Sequence, residues 1–237
     1  LFAMVSSVGR EVRKQLGIAA LSQDDRTGLQ AERPVSLEVA QLYAEAKTRL
    51  HRFDPVGARD LLLRVVAAEP DYPLGYLALA DSLLALGYED RAHEQIRRAF
   101  QLASRLPRAA RSLIEARYRE TTGEWAQAFA LYRALQTTFP DEHEYGLELI
   151  NAQLRGGLPA DALKSVAELR KLQGAGSLDA RIDLVEAKAQ MELSNFTGAT
   201  EVINRAVQKA ESLGSPLLLA DALLLDSFDR TNLDDHA

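Results

Sequence analysis

Apolar residues in this 237-residue chain follow a helical pattern that itself repeats about every 34 to 37 residues. An alanine marks each repeat, at Ala58, Ala92, Ala128, Ala162 and Ala199. Larger apolar residues follow four positions later, at Leu62, Ile96, Tyr132, Val166 and Ile203, and apolar residues recur seven positions later, at Val65, Ala99, Leu135, Leu169 and Ala206. Steps of three and four residues keep such positions on one face of an α-helix. Each marked segment is therefore predicted to be a helix whose small residue allows a neighbour to approach closely.

Turn-forming residues separate these helices. Five residues before the alanines stand Gly87, Gly123, Gly157 and Ser194, at a point where a turn after a helix often needs positive φ. Twelve residues after two of the alanines stand Pro70 and Pro140, which cannot extend a helix. In the second repeat this punctuation predicts a helix over 73–86, a turn at Gly87 and a helix over 89–104.

A second apolar stripe precedes each turn, so every repeat is predicted to be a pair of helices. In the second repeat the stripe is Tyr76, Leu79, Ala80 and Leu83. No stretch shows sustained period-two alternation, which predicts an all-α fold without a sheet. The repeats are assigned to 36–70, 71–105, 106–140, 141–176 and 177–214, with the first helix of a sixth in 215–237.

Residues 1–35 do not follow the repeat. Phe2, Val5, Val12 and Leu16 form one helical stripe, and the polar stretch from Ser22 to Pro34 is predicted to be a linker. The chain does not begin with methionine, and the sixth repeat has one apolar helix without its mate. We therefore expect the chain to be a piece of a longer protein.

The order of residues in the second repeat resembles the tetratricopeptide repeat. The matching residues are Tyr76, Leu79, Ala80, Leu83, Gly87, Ala92, Ile96 and Ala99. The resemblance extends over 37–237 and implies a right-handed superhelical solenoid of antiparallel helix pairs, whose first helices line a concave face. Three residues depart from the pattern: Glu115 and Glu186 stand where leucine is expected, and Ile150 where a small residue is expected.

The segment LFAMVSSVGREVRKQLGI beside this array resembles a junction in large bacterial signalling proteins. In those proteins a Ser/Thr kinase or winged-helix domain precedes a repeat-rich C-terminal region. The resemblance implies a docking or sensory module of a larger regulator. It implies a periplasmic location if a membrane span lies upstream, and a cytoplasmic one otherwise.

Residues typical of catalysis or metal binding are scarce. The chain has no cysteine, and its four histidines are isolated; His93-Glu94 begins an HExxH pattern that fails at Arg97. No GxxxxGK[ST], GxGxxG or GxSxG motif occurs. Leu217–Leu225, the longest apolar run, is far shorter than the roughly 20 residues that span a bilayer. We predict no enzymatic activity, metal site, cofactor or membrane contact for this chain.

The resemblance implies that a protein or peptide partner binds the concave face. The positions that would face it are Tyr43, Lys47, Leu77, Asp81, Leu113, Arg117, Leu147, Asn151, Leu184 and Lys188. The apolar members can equally be explained as packing residues between helices. Lys47, Arg117, Asn151 and Lys188 have less reason to be buried and are the better candidates. Three cations against one acid in this set weakly favour an acidic partner.

Two alternative functions remain open at this point. The unmatched helix of the sixth repeat predicts homodimerisation if it covers its apolar face against a second copy. Eight arginines between Arg91 and Arg119 form a basic run that suits nucleic acid, although such a run is more often a solvated helix face. The net charge of −6 makes nucleic acid the less favoured of the two.

Overall fold

The computed structural model describes residues 8, 11, 12, 14, 15, 22–172 and 179–235. Within 22–172 and 179–235 the chain forms twelve α-helices and no strand, which confirms the all-α prediction. The helices are α1 (Gln23–Ala31), α2 (Leu37–His51), α3 (Pro55–Ala68), α4 (Pro73–Ala85), α5 (Glu89–Leu102), α6 (Arg108–Thr121), α7 (Trp125–Thr138), α8 (His143–Arg155), α9 (Pro159–Lys171), α10 (Ala180–Glu192), α11 (Phe196–Ser212) and α12 (Pro216–Asp235).

From α2 onward, each helix packs against the next one along the chain. The pairs α2/α3, α4/α5, α6/α7, α8/α9 and α10/α11 are five helical hairpins, and α12 is the first helix of a sixth. This arrangement confirms the predicted right-handed solenoid of five repeats and part of a sixth. Proline opens α3, α4 and α9, where its missing N–H has no helical partner to lose.

The alanine ladder lies at the centre of the stack. All five ladder alanines are completely buried, and every residue four or seven positions after them is at most 4% exposed. Each second helix therefore presents one continuous face to its neighbours, as the sequence predicts. Small side chains on this face let the helices come together while the larger ones fill the space between them.

The turns adopt the backbone conformation that their residues predict. Gly87, Gly123 and Gly157 have φ of 77°, 73° and 72°. Ser194 takes the same place in the fifth hairpin with φ of 59°, although a side chain disfavours this left-handed region. The helices before Pro70 and Pro140 end at Ala68 and Thr138, so both prolines stop a helix as expected.

Ion pairs account for Glu186, one of the residues that departs from the repeat pattern. Glu186 accepts hydrogen bonds from Arg170 of α9 and Arg205 of α11. Beside it, the completely buried Asp183 lies 2.6 Å from Arg170 and 2.6 Å from Lys209. Charged pairs therefore join the fourth and fifth repeats where leucine packing is expected.

Ile150, the large residue at an expected small position, is also completely buried. One turn earlier, Gly146 supplies the missing room, because a Cβ there would lie 2.7 Å from Leu169 of α9. The small residue that lets α8 and α9 approach each other closely therefore lies one turn earlier than the repeat pattern predicts.

The stretch predicted to be a linker contains a short helix. Helix α1 lies within the polar stretch from Ser22 to Pro34, and it packs on the loop before α6. In this segment Gly28 and Pro34 are buried and Ala31 packs against a core cluster, and these residues do not form an amphipathic stripe in the sequence. The predicted N-terminal stripe falls almost wholly outside the described residues.

Among the helices that the structure describes, none combines the length and the apolar character needed to cross a bilayer.

Candidate partner-binding groove

The apolar residues predicted for the concave face are mostly engaged in packing. Leu77, Leu147 and Leu184 are 8%, 3% and 5% exposed, and each belongs to a core cluster between repeats. Tyr43 and Leu113 are half-buried against such clusters. These five side chains therefore join adjacent repeats, and a partner would reach only the exposed part of the last two.

A contact also joins the first hairpin to the last repeats. Phe53, in the turn between α2 and α3, packs against a cluster that includes Leu184 of α10 and Leu218 of α12. Its backbone has φ of 57°, in the left-handed region that a bulky residue rarely adopts. The first hairpin thus contacts the last two repeats across the superhelix.

Arg117 does not provide the exposed cation that the sequence predicts. It is 7% exposed, and its guanidinium donates hydrogen bonds to Asp81 of α4 and, at 3.0 Å, to Glu148 of α8. One arginine of the third repeat therefore bridges the second and the fourth. Asp81, another predicted groove residue, is occupied by the same bridge.

A second bridge lies one turn further along α6. Glu120 accepts hydrogen bonds from the Tyr132 hydroxyl of α7 and from Arg155 of α8, whose Nε lies 2.9 Å away. The Glu120 side chain is 8% exposed. The third and fourth repeats are thus joined by two neighbouring charged contacts on their first helices.

Burial and ion pairing have opposite effects on the pKa values of Arg117 and Glu148. Burial disfavours the charge on Arg117, but Glu148 and Asp81 outweigh it and hold the arginine pKa well above its ordinary value. Burial also raises the pKa of Glu148, which Arg117 partly offsets. Burial raises the pKa of Tyr132, and the adjacent carboxylate of Glu148 adds to the effect. A charge removed from this cluster would leave a buried partner uncompensated.

Besides the exposed parts of Tyr43 and Leu113, three polar residues predicted for the groove remain accessible. Lys188 of α10 is exposed, while Lys47 of α2 and Asn151 of α8 are half-buried. Within the ranges 22–172 and 179–235, no ion pair is found for either lysine. Asn151 and Lys188 occupy equivalent positions in the repeat pattern, on the successive first helices α8 and α10.

Several of the arginines between Arg91 and Arg119 form ion pairs or cation–π contacts within the chain. Arg119 pairs with Glu115 at 3.2 Å and with Glu124 at 2.6 Å, which also accounts for the glutamate at position 115. Arg98 lies 3.9 Å from Asp71 and over the Tyr76 ring, and Arg91 lies over the Tyr88 ring. With Arg117 these make four of the eight arginines. This engagement favours the interpretation of the run as a helix surface.

Tyr72 is a contact residue at the edge of the groove that the repeat pattern does not reveal. It precedes α4, packs edge-to-face on Tyr43 with 5.3 Å between ring centroids, and donates a hydrogen bond to the Glu32 carbonyl at 3.2 Å. Its partner lies 40 residues earlier, outside the repeat. Periodicity within the array therefore could not have found it.

In the described part of the chain, no group of three or more histidine, cysteine, aspartate or glutamate side chains is arranged so that it could hold a metal ion.

Comparison with known proteins identifies the architecture. A tetratricopeptide repeat protein from Parabacteroides merdae superimposes with a TM-score of 0.53 over 78% of this chain and 71% of its own, at 11% identity. A thermophilic tetratricopeptide repeat protein from Thermus thermophilus gives a TM-score of 0.53 over 78% of this chain and 99% of its own, at 18% identity. The fold is that of a tetratricopeptide-repeat array. No family model matches the sequence, and no curated protein is similar to it. At these identities the likeness concerns the fold alone.

The Arg117 bridge predicts a large and pH-dependent loss of stability in Arg117→Met. At pH 7 the free energy of unfolding should fall by about 3 kcal/mol, because Glu148 and Asp81, whose side chains are 24% and 30% exposed, lose their cation. The pKa of Glu148 should then rise further, so the folded variant holds its proton more tightly than the unfolded chain does. The difference from the wild type should therefore shrink as the pH falls through the carboxyl range.

Urea unfolding of both proteins at pH 7 and pH 4.5 measures this difference. Lys164→Met is the control, because its ion pair with Asp161 is exposed and its loss should change stability by under about 1 kcal/mol. Equal stability of Arg117→Met and the control at pH 7 would contradict the assignment of Arg117 as a buried bridge.

Proposed function

We propose that this chain is a non-catalytic scaffold that binds a peptide segment of another protein along its concave face. The proposal is carried by two kinds of polar residue among the predicted concave positions and their neighbours: some are held in ion pairs between repeats, and others are accessible to a partner. Arg117, Glu120 and their partners fix three adjacent repeats relative to one another, while Asn151 and Lys188 remain available beside them. A platform held rigid in this way loses little conformational entropy when a ligand binds.

An extended or helical peptide suits these groups. The Asn151 amide can donate to and accept from a peptide backbone, and Lys188 can pair with a carboxylate of the ligand. Because Arg117 is neutralised by Asp81 and Glu148, the preference for an acidic partner rests on Lys47 and Lys188 alone. The proposed preference is correspondingly weak.

The proposal places this scaffold within a larger bacterial signalling or transcription regulator, as its docking or sensory module. Support for this context comes from the N-terminal segment LFAMVSSVGREVRKQLGI and its position before the repeats. The catalytic or DNA-binding output would belong to another part of such a regulator.

A paired substitution tests the groove. Peptides selected on the wild-type chain from a phage-displayed random library should bind Asn151→Ala/Lys188→Glu at least about tenfold more weakly, a loss of roughly 1.4 kcal/mol. Lys171→Glu is the matched control, since Lys171 is exposed on the second helix α9. Calorimetric titration with the selected peptides measures the affinities, and circular dichroism checks that helicity is kept. Equal affinity for all three proteins would refute the proposed groove.

Self-association is a second candidate, and the exposed face of α12 favours it. Leu217 and Leu224, seven residues apart on one face, are 46% and 70% exposed, and Leu213 at the end of α11 is 61% exposed. We propose that a second copy covers this face.

Light scattering at increasing protein concentration tests this dimer. The wild type should reach twice its monomer mass, and Leu224→Glu should remain monomeric because a carboxylate would be desolvated in the interface. Leu63→Glu is the control, since Leu63 is an exposed leucine of α3. A wild-type chain that stays monomeric at every concentration would exclude the dimer.

A further inference from the structure

Helix α1 covers one edge of the groove through an unusually close contact. Gly28 is buried against Pro107, the residue that precedes α6, and a Cβ at position 28 would lie 3.1 Å from the proline Cγ. Three residues later, Ala31 packs against a core cluster that contains Leu77, Leu106 and Ile114. Small residues three positions apart therefore let this helix lie directly on the second and third repeats.

The segment that follows α1 is held by hydrogen bonds to two other repeats. The Tyr72 hydroxyl donates to the Glu32 carbonyl at 3.2 Å. The N–H groups of Val35 and Ser36 donate to the Glu69 carboxylate at 2.9 and 2.8 Å. Pro34, between these contacts, is buried.

The Glu32 carboxylate acts electrostatically on three tyrosines of different repeats. Its charge contributes to the raised pKa values of Tyr43, Tyr72 and Tyr145, each of which is raised mainly by burial. The pKa of Tyr43 reaches about 12. Tyr43 and Tyr72 belong to the first two repeats and Tyr145 to the fourth. Tyr43 and Tyr145 lie on the first helices α2 and α8, and Tyr72 directly precedes the first helix α4.

Helix α1 has little stability of its own. It contains nine residues, fewer than the roughly 12 to 15 that an isolated helix needs in water. Gly28 in its interior costs about 1 kcal/mol relative to alanine. The contacts with the array therefore hold α1 in place, and a competing helix that makes better contacts can replace it.

We infer that the surface beneath α1 is a docking site for a helix of the protein partner, which α1 occupies in its absence. The residues of α1 indicate which residue types the partner helix needs. This helix has a glycine or alanine facing Pro107, a second small residue three positions later, and an acidic residue four positions after the first, which acts on the tyrosines. The inference rests on the proposed function, because it names a specific subsite for the protein partner of the same array.

The segment itself supplies the probe. A fluorescent peptide with the sequence of residues 22–36 should bind the full chain carrying Gly28→Leu, in which the added side chain meets Pro107 and dislodges α1. The wild-type chain should bind the peptide at least about tenfold more weakly, because its own α1 fills the site. Gln30→Leu is the control: Gln30 lies on the exposed side of α1, so this variant should behave as the wild type.

Two variants of the peptide test whether positions 28 and 32 make the contacts with the array. A peptide that itself carries Gly28→Leu should fail to bind, although leucine favours the helix, and a peptide with Glu32→Lys should bind at least about tenfold more weakly. Hydrogen exchange of the chain should show faster exchange in residues 23–31 of Gly28→Leu than in the wild type. If Gly28→Leu does not fold, the chain with Glu32→Lys replaces it in the same titration.

Three results would overturn the inference: equal binding of the peptide to wild type and variant, no binding to a variant whose α1 exchanges rapidly, or equal binding of the Gly28→Leu peptide. None of them bears on the Asn151 and Lys188 positions. The two proposals can therefore be told apart. If Asn151→Ala/Lys188→Glu binds the library peptides as tightly as the wild type, while the peptide of residues 22–36 binds as described, the site beneath α1 is supported and the central groove is refuted.

Discussion

The close approach of helices at the buried alanine ladder is the constraint on which the rest of this structure depends. Ala58, Ala92, Ala128, Ala162 and Ala199 are all completely buried, at the same place in successive hairpins. Any larger side chain there would separate two helices and tilt every later repeat. Because the ladder holds this spacing five times, the first helices line up side by side. Their alignment then places Asp81, Arg117 and Glu148 within one hydrogen-bonded bridge, although they belong to three repeats.

The sequence predicts the stack well because the stack is built from local, periodic requirements. A small residue, a larger one four positions on and a turn residue five positions before it repeat within each unit, so comparison of units makes them visible. The polar contacts of the groove obey no such period. Arg117 bonds to residues 36 and 31 positions away, and nothing near position 117 distinguishes a bridge from a solvent-exposed arginine. Helix α1 is not predicted for a related reason: it packs through the small residues Gly28 and Ala31, which leave no stripe of large apolar residues in the sequence.

These differences change where recognition is expected. The apolar residues of the concave positions join the repeats, and Arg117 is neutralised within the array. The accessible polar groups are few, namely the exposed Lys188 and the half-buried Lys47 and Asn151, beside the exposed parts of Tyr43 and Leu113. The surface beneath α1 offers a partner more contacts than these polar groups do. It already accommodates a helix with a small residue against Pro107 and a carboxylate that acts on three tyrosines. A partner that used both surfaces would displace α1 and lie across the middle repeats.

The most direct test of this account compares two alanines on the same helix. Ala128 of α7 is a ladder residue and completely buried, whereas Ala130, two positions later, is exposed. Thermal and urea unfolding of Ala128→Leu should show a loss of about 1–3 kcal/mol, because the added atoms force apart helices that are in contact. Ala130→Leu should change stability by under about 0.5 kcal/mol. If Ala128→Leu is as stable as Ala130→Leu, the ladder does not set the spacing of the repeats, and the groove cannot be derived from it.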